Sequence, residues 1–71
     1  MTITSSVIVW NEVQTDGRHS VREVHTDDSG NLFTYDYMCD DGFDVNAKMQ
    51  SRVSYVTTES DNLKIQQALN G

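Results

Sequence analysis

The stretch that decides the fold is S-V-R-E-V-H-T-D-D-S-G-N-L-F-T-Y-D-Y, from Ser20 to Tyr37. Both of its arms are rich in β-branched and aromatic residues, and an Asp-Asp-Ser-Gly turn sequence lies between them. We therefore expect two antiparallel strands, over residues 19–26 and 31–38, joined as a hairpin. A third strand over residues 6–14 precedes them, because Val-Ile-Val-Trp at 7–10 leads into a polar stretch.

The register of both hairpins depends on how each turn closes. Asp-Gly at 16–17 matches a two-residue type I′ turn, which pairs Val9 with Val24. The second turn closes either as a four-residue loop that pairs Val24 with Phe33, or as a three-residue loop with a glycine bulge that pairs His25 with Phe33. We favour the four-residue loop, because it collects more β-branched and aromatic pairs on one face. A slip of one residue exchanges the two faces.

An apolar stripe at helical spacing follows the sheet, on Val45, Met49, Val53 and Val56. Intervals of four, four and three residues place these side chains on one helix face, and Asp44 is suited to cap the first turn. We expect a helix over residues 44–57 across one face of the sheet. Thr-Thr-Glu-Ser at 57–60 has weak helix propensity, and Ser60 takes the next position of the stripe. Thr58 with Asp61 three residues later resembles a capping box, which favours a break before a short helical tail over one continuous helix.

These elements predict one α+β domain over residues 1–71: a three-stranded antiparallel β-meander at 6–38, one helix packed across a face, and a short C-terminal helical segment within a helical part at 44–70. A fold of this size buries only about 60% of its unfolded surface, so we expect association with other subunits to stabilise it. Cys39 is the only cysteine, which excludes an internal disulfide. The sequence has no metal-ligand spacing, and we expect neither metal nor cofactor.

The charge of the chain argues against some classes of partner. Eleven acidic and five basic residues give a net charge of −6. The basic residues are scattered along the sequence, whereas phosphate backbones need clustered Lys and Arg, so direct nucleic-acid binding is not expected. The N-terminal sequence has no basic n-region and only a short apolar run. We therefore expect no membrane partner and a protein made in the cytoplasm.

The residues that could carry catalysis do not form a recognisable signature. His19 and His25 are the only imidazoles and Cys39 the only thiol. A nucleophile needs a base within hydrogen-bond reach and a concave site, so we expect structural histidines, a buried apolar Cys39 and no enzyme. A hydrolase would depend on His25 or Cys39. The aspartates at 27–28 and 40–44 lack the order of a calcium loop and are expected in turns and a helix cap.

Four aromatic residues could serve three purposes: Trp10, Phe33, Tyr35 and Tyr37. A stacking platform for single-stranded bases requires a positive groove, which the scattered basic residues do not predict. Packing under the helix is the role we expect. Contact with a protein partner, where Tyr and Trp are favoured anchors, is the alternative.

The N-terminal strand has the most functional content. In a meander it lies at the edge of the sheet, and residues 7–10 contain none of the charges or prolines that protect an exposed edge. Such an edge suggests pairing with another chain; the alternative is that residues 1–5 or the last helix cover it. The apolar residues of the short tail would add further contacts. The expected protein interface comprises Val7, Ile8, Val9, Trp10, Leu63, Ile65 and Leu69.

Two segments carry a resemblance: R-E-V-H-T-D-D-S-G-N-L-F-T-Y-D-Y at 22–37 and D-V-N-A-K-M-Q-S-R-V at 44–53. A strand ending in R-E-x-H-T-D, a turn with glycine, an aromatic strand, an acidic loop and a helix resemble small proteins encoded among the virion genes of tailed bacteriophages. The resemblance implies a structural or assembly protein of a phage virion, in the tail, baseplate or neck. It would be present in several copies, as a homo-oligomer or held by other virion proteins.

The acidity of the chain supports a second expectation. A phage-encoded acidic protein could inhibit a host nucleic-acid-binding protein by presenting carboxylates where phosphates would lie. Such an inhibitor would bind with a strong dependence on salt, whereas a virion protein would be found in particles at a fixed ratio.

Overall fold

The computed structural model describes residues 2–70 and confirms the α+β meander. Strand β1 spans Ile3–Val13, strand β2 spans His19–Asp27 and strand β3 spans Leu32–Cys39. Helix α1 spans Val45–Asn70. The strands lie in the order β1-β2-β3, and both neighbouring pairs are antiparallel. The first strand is therefore an edge of the sheet, as the meander predicted.

The prediction of a two-residue turn for the first hairpin is wrong. The amide of Gln14 donates to the carbonyl of Arg18 at 2.7 Å, and Gly17, at a φ of 84°, donates to the carbonyl of Gln14 at 3.0 Å. This is a three-residue loop with a glycine bulge. A type I′ turn needs a positive φ at Asp16 as well, and within residues 2–70 only glycines have one. The Asp16 carboxylate instead accepts the Arg18 amide at 3.0 Å.

The second hairpin closes in the same way, so the preferred four-residue loop is also wrong. The amide of Asp27 donates to the carbonyl of Asn31 at 3.0 Å, and Gly30, at a φ of 83°, donates to the carbonyl of Asp27 at 3.1 Å. His25 consequently pairs with Phe33, as in the three-residue alternative. This register turns the aromatic residues of β3 towards the same side as His25.

A β-bulge at Val9 changes which face Trp10 occupies. Ile8 pairs with Glu23 and Trp10 pairs with Arg22, so Val9 is the extra residue and does not pair with Val24 as expected. The ring of Trp10 lies on the face away from the helix, 4.1 Å from the guanidinium carbon of Arg22. We call this side the outer face of the sheet.

Helix α1 packs across β1 and β2 through the predicted stripe. Met49 and Val56 are buried, while Val45 and Val53 are half-buried. The side chain of Asp44 accepts the amide of Ala47 at 2.9 Å, which confirms the predicted cap. Within residues 2–70, no helix combines the length and the apolar composition needed to cross a membrane.

The helix continues through residues 57–60, so the C-terminal helical segment is the end of α1 and not a separate helix. The hydroxyl of Thr57 donates to the carbonyl of Val53 at 2.8 Å, and that of Thr58 donates to the carbonyl of Ser54 at 3.4 Å. These bonds to the preceding turn leave neither threonine available to cap a new helix.

Candidate functional site

The central strand turns ionisable side chains towards the helix. Val21, Glu23, His25 and Asp27 alternate along β2 and are at most 2% exposed. Three of these four side chains can carry a charge. Burying such groups costs free energy unless they are paired and hydrogen-bonded. A core that contains three of them is therefore a candidate functional site.

His25 links the edge strand to Glu23. Its Nδ1 lies 2.7 Å from the hydroxyl of Ser6, which is directly across on β1, and its Nε2 lies 2.5 Å from the Glu23 carboxylate. A serine hydroxyl can donate or accept and a carboxylate can accept, so each ring nitrogen has a partner suited to it. Both ring nitrogens are therefore satisfied.

Arg52 brings a counter-charge from the helix to Glu23. Its Nε lies 3.1 Å from Glu23 Oε2, and its guanidinium carbon lies 4.6 Å from the ring centre of Tyr35 and 5.8 Å from that of Tyr37. Hydrogen bonding is incomplete, since Glu23 Oε1, the Tyr37 hydroxyl and Arg52 Nε all lack a partner of suitable geometry. The contact between helix and sheet at this point depends on opposite charge and on cation–π attraction.

Asp27 ties the second turn to the helix. Its Oδ1 accepts the amides of Ser29 and Asn31 at 2.9 and 2.8 Å, and its Oδ2 accepts from the Asn31 side chain at 2.9 Å and from the Ser60 hydroxyl at 2.7 Å. Burial alone disfavours the charge, but the hydrogen bonds from Asn31, Ser60 and Ser29 outweigh it and hold the pKa of Asp27 far below its ordinary value. The carboxylate is consequently ionised while it joins three segments.

The expected interface residues of β1 lie on different sides of the strand. Val7 and Val9 are 49% and 52% exposed. Ile8 is half-buried on the helix side, where it pairs with Glu23, and Trp10 is half-buried on the outer face. Only the two valines are thus presented freely to a partner.

The expected contacts at the end of the helix are more exposed. Leu63 is half-buried, whereas Ile65 and Leu69 are 58% and 81% exposed. Lys64 contacts Asp28 beside the second turn, so the helix remains attached to the sheet up to this point. The last turns of α1 extend beyond that contact.

Sequence reasoning missed the buried polar residues, although two signals were present. The period-two pattern of β2 places Glu23, His25 and Asp27 on one side of the strand. Ser60 occupies the position at which the helical stripe called for an apolar residue, and its partner is the buried Asp27. Cys39, by contrast, is buried as expected.

Comparison of the chain with protein-family models, with curated proteins and with solved structures finds no match. The chemistry of the site is therefore argued from its geometry. Within residues 2–70, no three His, Cys, Asp or Glu side chains converge as metal ligands would. Ser6 lines a cavity of about 360 Å³. In a serine-hydrolase triad, however, Nε2 of the histidine contacts the serine and Nδ1 contacts the carboxylate, whereas His25 contacts Ser6 through Nδ1 and Glu23 through Nε2. This geometry favours a structural role, in which the network fixes β1, β2 and α1 together.

Proposed function

We propose that this chain is a non-enzymatic structural protein of a bacteriophage virion, placed in the tail, baseplate or neck and acting through protein–protein contacts. The observation that carries the proposal is the free edge of β1, which presents the exposed Val7 and Val9. Within the described residues no other strand pairs with this edge, and residues 3–5 are themselves part of it. An apolar edge of this kind favours pairing with another chain. The virion setting is supported by the resemblance of residues 22–37 and 44–53.

The outer face of the sheet supports the same proposal. α1 packs on the opposite face, and no second layer of the described chain covers the outer one. Leu32 and Met38 are 67% and 43% exposed on β3, and Val7, across β2 on the other edge strand, is 49% exposed on the same face. A sheet that is covered by a helix on one face only, and that exposes apolar side chains on the other, is suited to an assembly in which copies of itself or other virion proteins supply a second layer.

Replacing Val9 with Lys is expected to prevent assembly and preserve the fold. Val9 is the bulged residue and is half-exposed, so a lysine there disturbs no pair of the ladder but places a charge on the free edge. The helical circular dichroism signal should persist while incorporation into particles falls by at least about tenfold.

Val13→Lys is the matched control, because it makes the same change on the same strand at a 67% exposed position outside the expected interface. It should assemble normally. Incorporation of the Val9→Lys chain at the wild-type level would overturn the edge route.

An acidic inhibitor of a host nucleic-acid-binding protein is the second candidate. The loop between β3 and α1 favours it, since Asp40, Asp41 and Asp44 are all exposed there. Such an inhibitor would be missing from purified particles, and its affinity for a basic host protein would fall steeply between low and physiological salt. Stoichiometric presence in salt-washed particles, together with salt-insensitive contacts, would decide against it.

A further inference from the structure

Strand β3 is the second edge of the sheet and the more regular one. It pairs with β2 from Leu32 to Cys39 without a register shift, whereas β1 is interrupted at two points. Its sequence, L-F-T-Y-D-Y-M-C, has no proline and a single charge, Asp36, on the outer face. Within the described residues, the edge of β3 that points away from β2 pairs with no other strand. A regular edge without protective features is the kind of edge that accepts an added strand.

A groove runs beside this edge, between β3 and the first half of α1. The helix lies over β1 and β2, so Tyr35 and Tyr37 are only half-buried. Two cavities of about 420 and 390 Å³ lie along the groove, and both are lined by Lys48 and Arg52. Tyr55 stands at one end, 6.2 Å from Tyr35 between ring centres. We call this feature the β3–α1 groove.

The groove is basic in an acidic protein. Three of the five basic residues line it, Arg18, Lys48 and Arg52, although the chain has a net charge of −6. Arg18 lies 3.8 Å from Asp40, whose side chain is 92% exposed, so a ligand carboxylate can replace that contact at little cost. Lys48 forms no ion pair with any described residue. Charge complementarity therefore favours an anionic occupant.

We propose that the β3–α1 groove binds an extended acidic segment of a partner protein, which adds to the edge of β3 as a fourth strand. Alternate side chains of the segment would then lie in the groove, with carboxylates against Lys48 and Arg18 and apolar groups against Tyr35 and Tyr37. Tyr and Arg are the residue types that most often anchor such contacts. This inference rests on the proposed function in one respect, that the ligand is a protein.

A peptide fits these observations better than a nucleic acid does. The free backbone groups of β3 match another backbone, and a short segment needs only a few carboxylates to satisfy the basic residues. A nucleic acid carries a negative charge at every phosphate, so the part of it that extends beyond the groove would be repelled by a protein of net charge −6. Single-stranded nucleic acid is therefore the competing outcome of the test.

The test uses the full chain and a fluorescein-labelled peptide of two Glu-Thr-Val-Thr repeats, in which Glu and Val alternate along one face of an extended strand, with binding followed by fluorescence anisotropy. The same peptide with Lys in place of Glu controls for charge, and one with Pro in place of Thr controls for strand pairing. Saturable binding of the Glu peptide alone, with slower amide hydrogen exchange along β3, is expected. The double variant Arg18→Glu/Lys48→Glu should weaken it at least about tenfold.

Lys64→Gln removes a cation outside the groove without placing a carboxylate against Asp28, and it should bind as the wild type does. No saturable binding of the Glu peptide, equal binding of the Lys or Pro peptide, an equal loss in the Lys64→Gln chain, or tighter binding of oligothymidylate would overturn the inference. Val9→Lys should leave peptide binding unchanged, because it lies on the other edge. A failed peptide test alongside an assembly defect in Val9→Lys would therefore reject the groove and leave the proposed function standing.

Discussion

The Arg52→Met variant is expected to lose about 3–5 kcal/mol of unfolding free energy, because it leaves a buried carboxylate without its counter-charge. Glu23 has no exposed surface, and Arg52 Nε is 3.1 Å from its Oε2. A domain of this size has about 5 kcal/mol of stability in total, so about 0–2 kcal/mol should remain and the variant should unfold at much lower urea concentration. Urea denaturation followed by far-ultraviolet circular dichroism measures the loss.

A second substitution separates the charge effect from lost packing. Glu23→Gln in the Arg52→Met chain removes the buried charge and keeps a side chain that can hydrogen-bond with His25 Nε2, so it should restore most of the stability. Lys48→Met is the matched control, since it removes an exposed cation one turn earlier on the same helix. Its effect should stay within about 0.5 kcal/mol. An Arg52→Met chain as stable as the wild type, or a double variant no better than the single one, would refute the pairing.

Acid is expected to destabilise the chain through Asp27. Its pKa in the folded state lies far below the ordinary value of 3.8, so the unfolded chain takes up the proton first. The stabilisation is complete above about pH 5 and declines as the pH falls through 3.8 towards the lower folded pKa. We expect the melting temperature to fall on the order of 10 °C between pH 4 and pH 2.

The Asp27→Asn variant should lose most of this dependence. Asn cannot accept all the hydrogen bonds that Ser60 and the turn donate to the carboxylate, so the variant melts about 10 °C lower at pH 7 and converges with the wild type at pH 2. Asp36→Asn is the control: hydrogen bonds from Arg22 lower the pKa of Asp36, but its side chain is 53% exposed. It should keep the steep loss. The same steep loss in Asp27→Asn would show that another group is responsible.

The order of elements could be predicted from local sequence, whereas the register could not. Glycines at 17 and 30 and the helical stripe from Val45 to Val56 are local signals, and they correctly located the two turns and the start of the helix, but not the loop types or the end of the helix. The loop type depended on the φ of Asp16, and the face of Trp10 depended on the bulge at Val9. Both are settled by pairing across the sheet, which no local pattern encodes.

The buried polar residues of β2 and the β3–α1 groove could not be predicted from the sequence, for a related reason. Glu23, His25 and Asp27 are residue types normally found in solvent, so the alternating pattern on β2 did not identify the buried face. Arg18 is far from Lys48 and Arg52 in the sequence, yet all three line one groove. Lys48 and Arg52 are one helical turn apart, and Arg18 directly precedes β2. Only the helical spacing of Lys48 and Arg52 could have signalled this.

The most direct test of the account is amide hydrogen exchange of β1 in purified virions compared with the free chain. We expect the amides of residues 7–10 that point away from β2 to exchange rapidly in the free chain and slowly in the particle, because a partner strand or layer covers the edge there. Equal exchange in both states, or particles that lack the chain, would contradict the claim that this edge is an assembly surface.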